Sequence, residues 1–358
     1  MSVAAGCSSS SNSSVGRPAS ATRNVFVPAN DPAFRFEGRV DSREPANTVL
    51  IWQGTRVAVD FEGNILALCF GVGKGVCFFD LDVDGERSVV EIKESAQPIR
   101  FKYLKPLTTG RHRLTLFKRS EADAGHVAFQ GVELAAGAKV YASQPALNKL
   151  LLQFFGDSIT AGACNEDGPE DQWETRSTHN NALSYAALTA KALQAGYRNN
   201  AVSGMGIVVG YVPKTAGEIW DRIYPEPSSP KADGRDWSPD VVFVNFGEND
   251  DSFSRNQNME FPAGFTAGYV SLVKEMRRAF PQAEIVLLRG GMFGGAKSEV
   301  LRAAWEAAAR QLESEDKQIH HYIFQHWSQT HPRVSDHQAM ADELVAWLKT
   351  QTFTQRFL

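Results

Sequence analysis

Hydrophobic and polar positions change rhythm once along this chain. Over residues 24–142, short runs rich in β-branched and aromatic side chains recur, at 49–52, 57–61, 65–70, 76–83, 89–92, 99–104, 112–117 and 127–134. Gly54, Gly63, Gly73, Gly85 and Gly110 punctuate them, and Asp84-Gly85 is a strong tight-turn signal. Such runs without a helical stretch predict a β-sandwich of jelly-roll type. From Lys149 onward strands and helices alternate. Residues 150–155, 240–246, 284–288 and 319–324 read as strands, and 181–193, 265–280, 298–314 and 337–349 as helices. This alternation predicts an α/β/α domain with a parallel sheet covered on both faces.

The chain therefore divides into a leader (1–23), a β-sandwich domain (24–142) and an α/β domain (143–358), with 135–148 as the connector. A length of 358 residues suits two domains better than one. In the leader, Ser8-Ser9-Ser10-Ser11-Asn12-Ser13-Ser14 is low-complexity. Ahead of it, Val3-Ala4-Ala5-Gly6-Cys7 resembles a bacterial lipoprotein processing site. That reading predicts a lipid tether at Cys7 and a secreted, periplasmic or surface-attached protein; an ordinary disordered leader is the alternative.

Composition narrows the partners. Hydrophobic residues make up 43% and charged residues 22%, as in soluble globular proteins. A net charge of −4 favours neither nucleic acid nor an anionic membrane. No apolar run approaches the ~20 residues of a bilayer span. Cys7, Cys69, Cys77 and Cys164 match no zinc spacing, and no cofactor is implied. Cys69 and Cys77 read as buried thiols that would pair only if their strands were neighbours. A monomer is expected.

The chemistry gathers where strands end, the edge at which open α/β sheets bind ligands. Leu150-Leu151-Leu152-Gln153-Phe154-Phe155 leads into Gly156-Asp157-Ser158, which presents a hydroxyl on a tight turn. Alone, Ser158 would be read as a helix N-cap; with a base and an oxyanion hole it becomes a nucleophile. Ala201-Val202-Ser203-Gly204 supplies a glycine whose amide can approach a ligand, or which merely permits a turn. Gly247-Glu248-Asn249-Asp250 follows a buried strand, and Asn249 could donate to an oxyanion or bond its own backbone. His331, in the loop before the last helix, is placed to move the serine proton. It competes with His337, which would more simply pack or cap. Asp157 and Asp250 read as structural hydrogen-bonders. His320 and His321 point to opposite faces of a strand and cannot share one ion.

In this order the motifs resemble the SGNH hydrolases, or GDSL esterase/lipase superfamily. The resemblance implies Ser158 as nucleophile and His331 as base, with the Ser158 amide, the Gly204 amide and the Asn249 side chain forming the oxyanion hole. A β-sandwich ahead of such a domain is similar to carbohydrate esterase family 2. Phe34-Arg35-Phe36-Glu37-Gly38-Arg39, Ile51-Trp52-Gln53-Gly54, Gly110-Arg111-His112-Arg113-Leu114 and Phe117-Lys118-Arg119-Ser120-Glu121 carry that likeness. It implies a serine esterase that removes O-acetyl groups from xylan, glucomannan or their oligosaccharides. A lipase, arylesterase or thioesterase is the alternative within the superfamily, and a carbohydrate-binding protein with a residual site is the alternative outside it. The β-sandwich either binds glycan or walls the cleft.

Two departures from the resemblance alter the expectation. Many SGNH hydrolases carry an aspartate three residues before the histidine, where this chain has Ser328. The likeness to family 2 esterases, which are described as tolerating this with a backbone carbonyl orienting the ring, implies a Ser158–His331 dyad. The family's tryptophan beside that histidine is also missing, since Thr330 precedes His331. Trp327 or Trp220 is expected to contact substrate in its place.

Overall fold

Ahead of residue 143, eleven strands pair into a single antiparallel sheet. The computed structural model describes residues 23–143, 149–234, 237–355 and 357, so Cys7 and the serine-rich stretch lie outside the described residues. The spine of the sheet is Leu66–Val83, an 18-residue strand. Its first half pairs with Gly125–Leu134 and Ile99–Lys102, and its second half with Glu86–Ser95 and Arg111–Lys118. Two separate runs were expected there. Instead the strand bends through its glycines without stopping. Phe70 and Phe79 stack at 5.8 Å, although nine residues of straight strand would hold them about 30 Å apart. Gly75 sits at φ +68, and a Cβ there would lie 2.2 Å from the Ala124 carbonyl oxygen, so only glycine fits the bend. The result is a nearly barrel-like domain around Val59, Phe61, Phe70, Phe79, Leu114 and Phe129. Val25–Pro28, Arg35–Glu37, Val40–Asp41 and Val140–Tyr141 are strands too short to show a period in the sequence. Cys69 and Cys77 lie on the one long strand as free thiols.

The second domain is a five-stranded parallel sheet, as expected. Its spatial order is Gly196–Ala201, Leu151–Gly156, Val241–Asn245, Glu284–Met292, Ile319–Ser328. Phe154 and Phe155 show why the strands read as unbroken apolar runs. Successive side chains point to opposite faces, and both faces are buried. Phe155 joins Val242, Val244, Tyr269 and Trp305 on one face, while Phe154 joins Phe243, Tyr185, Met340 and Leu344 on the other. The helices Tyr185–Ala192, Phe265–Ala279, Glu299–Glu315 and Val334–Thr350 cover these faces. Gly196–Ala201, Gly-Tyr-Arg-Asn-Asn-Ala, is too polar to have been read as a strand. The chain order reverses beside Leu151–Gly156, so the crevice at the carboxyl edge opens next to Ser158.

The two domains share a core. Ile51, Trp52 and Ala122 belong to the same apolar cluster as Phe155, Val202 and Trp220. Trp52 Nε1 donates to the Ile223 carbonyl at 2.7 Å. Gln53 Nε2 donates to Asn199 Oδ1 at 2.9 Å and to the Ala201 carbonyl at 2.8 Å.

Candidate active site

The Ser158 turn is held by its neighbour. Asp157 caps the short helix Ser158–Ala161, its carboxylate accepting from the Ile159 N–H at 3.1 Å. The capping role that Ser158 alone would suggest thus falls to Asp157. Ser158 is only 4% exposed, and its hydroxyl has no protein hydrogen-bond partner among the described residues yet is not sealed from solvent. As the first helical residue, its N–H also has no intrahelical acceptor.

The other motifs converge on this turn. Gly204 follows the strand Gly196–Ala201 at φ +77, and its N–H finds no backbone acceptor among the described residues. Asn249 Nδ2 donates to Asp157 Oδ2 and to the Met205 carbonyl, both at 3.1 Å. The amide therefore ties the Gly204 turn to the Ser158 turn, and both of its hydrogens are engaged. Asp250 Oδ2 accepts from the Ile207 N–H at 2.8 Å, while its Oδ1 accepts from Val208 and Val209 at 2.8 and 3.1 Å. Burial pushes the Asp250 carboxyl up to about 6 in spite of those three donors. Burial, reinforced by the Glu248 charge, also lifts the Asp157 carboxyl well above its ordinary value. Both act as hydrogen-bonders within the turns, as the sequence suggested.

His331 does not stand without a carboxylate. Its Nδ1 lies 2.7 Å from Asp171 Oδ2, and Arg333 Nη1 donates to Asp171 Oδ1 at 2.8 Å and to the His331 carbonyl at 2.8 Å. Burial raises the Asp171 carboxyl, but His331 and Arg333 outweigh it and hold the group far below the usual carboxylate range. The expected dyad is corrected on this geometry. The carboxylate comes from the loop after Ser158, not from the segment before His331. Ser328 ends the fifth strand opposite Met292. No motif spacing marked Asp171, which lies 160 residues from His331 in the chain.

His337 is fully buried, with Nδ1 accepting the Tyr185 backbone N–H at 3.1 Å. Its Nε2 is buried without a partner, and desolvation pushes the ring down to about 3.

The aromatic expectations fare differently. Trp220 belongs to the core, 7% exposed, with Nε1 directed at Glu275 Oε2. Its ring packs edge-on against Phe155 and Phe280 within the apolar cluster, so the expectation that it contacts substrate is corrected. Trp327 is half-buried on the fifth strand and packs against Phe293, with the Lys297 ammonium 4.8 Å from its ring centroid. Trp173 instead takes the place beside the histidine, its ring stacked on His331 with centroids 5.8 Å apart. Arg176 lies over Trp173 at 4.2 Å. Trp173 sits in a polar loop, and nothing in its spacing marked it.

Donor atoms of Cys164, Asp171 and His331 come within 4.8 Å of one another. Burial drives the Cys164 thiol far up, helped by the charges of Asp171 and Asp167, and Asp171 is already committed to His331 and Arg333. Cys164 Sγ pairs instead with His179 Nε2 at 3.5 Å, so only Asp171 and His331 of the three are hydrogen-bonded to each other.

Residues 36–143 match the carbohydrate esterase 2 N-terminal family and residues 154–344 the GDSL-like lipase/acylhydrolase family. The chain is 30% identical over 332 residues to the cellulase/esterase CelE of Acetivibrio thermocellus, covering 90% of this chain and 40% of CelE. It is 28% identical to an acetylxylan esterase/glucomannan deacetylase of Cellvibrio japonicus, covering 87% of this chain and 89% of that one. A family two carbohydrate esterase from Clostridium thermocellum, solved in complex with cellohexaose, superposes with a TM-score of 0.78 at 29% identity, covering 88% of this chain and 98% of that one. The chain belongs to the GDSL-like lipase/acylhydrolase family of carboxylic ester hydrolases, in its carbohydrate esterase family 2 branch.

Proposed function

We propose that this chain removes O-acetyl groups from plant cell-wall polysaccharides or their oligosaccharides, such as xylan and glucomannan, through an acyl-enzyme on Ser158. The observation that carries the reading is the Asp171–His331 pair, 2.7 Å apart, on the same crevice edge as an unpartnered serine hydroxyl. Ser158 Oγ attacks the acetyl carbonyl while His331 Nε2 takes its proton. The Ser158 and Gly204 N–H groups receive the oxyanion, and the Asn249 amide joins them by sharing one of its two engaged hydrogens. The intermediate collapses as His331 returns the proton to the sugar oxygen. Water, deprotonated by the same ring, then releases acetate. Asp171 holds the Nδ1–H and offsets the imidazolium charge, a role a neutral carbonyl fills less well. The named activities of the Cellvibrio japonicus relatives support acetate as the acyl group.

Such substrates lie outside the cell, so secretion is part of the proposal. Among the described residues no helix is long and apolar enough to cross a membrane.

The test pairs a chromogenic acetate ester with NMR-monitored deacetylation of acetylated xylan and glucomannan. Ser158→Ala should lose turnover by about 10⁴-fold or more on every substrate. Turnover retained by that variant would end the reading.

A further inference from the structure

Glu121 belongs to the β domain by sequence, just past the strand Arg111–Lys118. Yet its carboxylate is buried, and every partner of that carboxylate lies in the other domain. Ser203 Oγ donates to Oε2 in a short hydrogen bond, and His179 Nδ1 lies 2.5 Å from Oε1. Arg176 approaches Oε1 at 3.8 Å. Burial pushes this carboxyl up, but the His179 contact, the Ser203 hydroxyl and the Arg176 guanidinium together hold it below its ordinary value.

The segment that carries Glu121 is built to stay put. Lys118 is fully buried and spends its ammonium on the carbonyls of Ser120 at 2.8 Å and Glu121 at 3.0 Å. The Ala122 N–H donates to Gln53 Oε1 at 3.1 Å, and the same Gln53 side chain donates to the carbonyl of Ala201, two residues before Ser203. Arg119 reaches Asp80 in its own domain, and Glu166 and the Ser177 carbonyl across the interface. A buried lysine capping two carbonyls and a glutamine spanning both sides cost conformational freedom and desolvation, which suits a segment that must hold one position.

We propose that Glu121 is a positioning residue for catalysis, supplied to the α/β domain by the β domain. Through Ser203 it fixes the turn that aims the Gly204 N–H. Through His179 it seats the base: Trp173 packs on His179 with centroids 5.3 Å apart and on His331 at 5.8 Å. One carboxylate thus aligns the oxyanion turn and the imidazole at once. The inference rests on the Ser158, Gly204 and His331 assignments above. It gives the β domain a task besides binding glycan or walling the cleft.

The experiment uses the full chain and a chromogenic acetate ester, comparing Glu121→Ala, Ser203→Ala and Ser158→Ala. Misalignment of donors and base should lower kcat by about 10²-fold in Glu121→Ala and about 10-fold in Ser203→Ala. KM should stay within about twofold in both, because the aligned groups act in the transition state. If Glu121→Ala does not fold, Ser203→Ala, which keeps the buried carboxylate, decides alone. Folded variants with wild-type kcat would overturn the inference, as would a rise in KM at unchanged kcat. Ser158→Ala separates the layers. If it is inactive while Ser203→Ala and Glu121→Ala match wild type, the positioning role fails and the esterase reading stands. If Ser158→Ala remains active, both fall.

Discussion

His331 and His337 stand on either side of the start of the last helix, and their surroundings are opposite. At His331 an acceptor faces Nδ1: the Asp171 carboxylate, itself steadied by Arg333. The ring is part-exposed, and its other nitrogen is left for chemistry. At His337 a donor faces Nδ1, the Tyr185 backbone N–H, and the ring is sealed against Tyr185. A lone pair spent on an amide forbids the proton there, and burial forbids the charge. The group facing one nitrogen decides whether a histidine can act as a base or only as packing.

The comparison breaks most sharply by deleting each ring. His331→Ala should lower kcat/KM by about 10⁴-fold with an unchanged melting transition. His337→Ala should keep its turnover per folded molecule and lose about 1–3 kcal/mol of stability in urea titrations. The reverse pattern would exchange the two roles. Asp171→Asn gives the next largest effect. It keeps an acceptor near Nδ1 and removes the charge, and should cost kcat about 10³-fold. A wild-type rate in that variant would restore the dyad.

The smallest effect is on the pH dependence of stability. His337 sits at about 3 when folded, against 6.5 when free. Between those values the unfolded chain takes up a proton that the native ring refuses. This group therefore lowers stability as pH falls through that window, by about 1.4 kcal/mol per pH unit, and is neutral above it. His337→Gln keeps an acceptor for the Tyr185 N–H without the titration. The stability difference between wild type and this variant should narrow by about 2 kcal/mol between pH 6.5 and pH 5. A constant difference would mean the native ring accepts the proton.

What the sequence revealed of this site follows from where each residue lies. Ser158 and Asn249 each come directly after an apolar strand, and a strand end aims its residues without help from distant chain; Gly204 follows the polar strand Gly196–Ala201 and was legible only through its Ser-Gly pair. Asp171 and Trp173 sit in a polar loop whose shape depends on Arg333, Arg176 and His179, so no local period pointed to them. The missing aspartate at Ser328 was read correctly as a missing residue and wrongly as a missing carboxylate, since Asp171 reaches the ring from another loop. Trp220 misled because an aromatic near the motifs is as well suited to core as to sugar, and only packing tells the two apart. In the β domain Gly73 was read as a break, whereas the strand runs on through it and bends at Gly75.

The core shared by Ile51, Trp52 and Ala122 with Phe155 and Val202 has an evolutionary consequence. A recombination joint placed between the two halves would pass on a hydrolase missing part of its interior and a β domain with an indole exposed. Moving the two as one block would keep that shared interior whole.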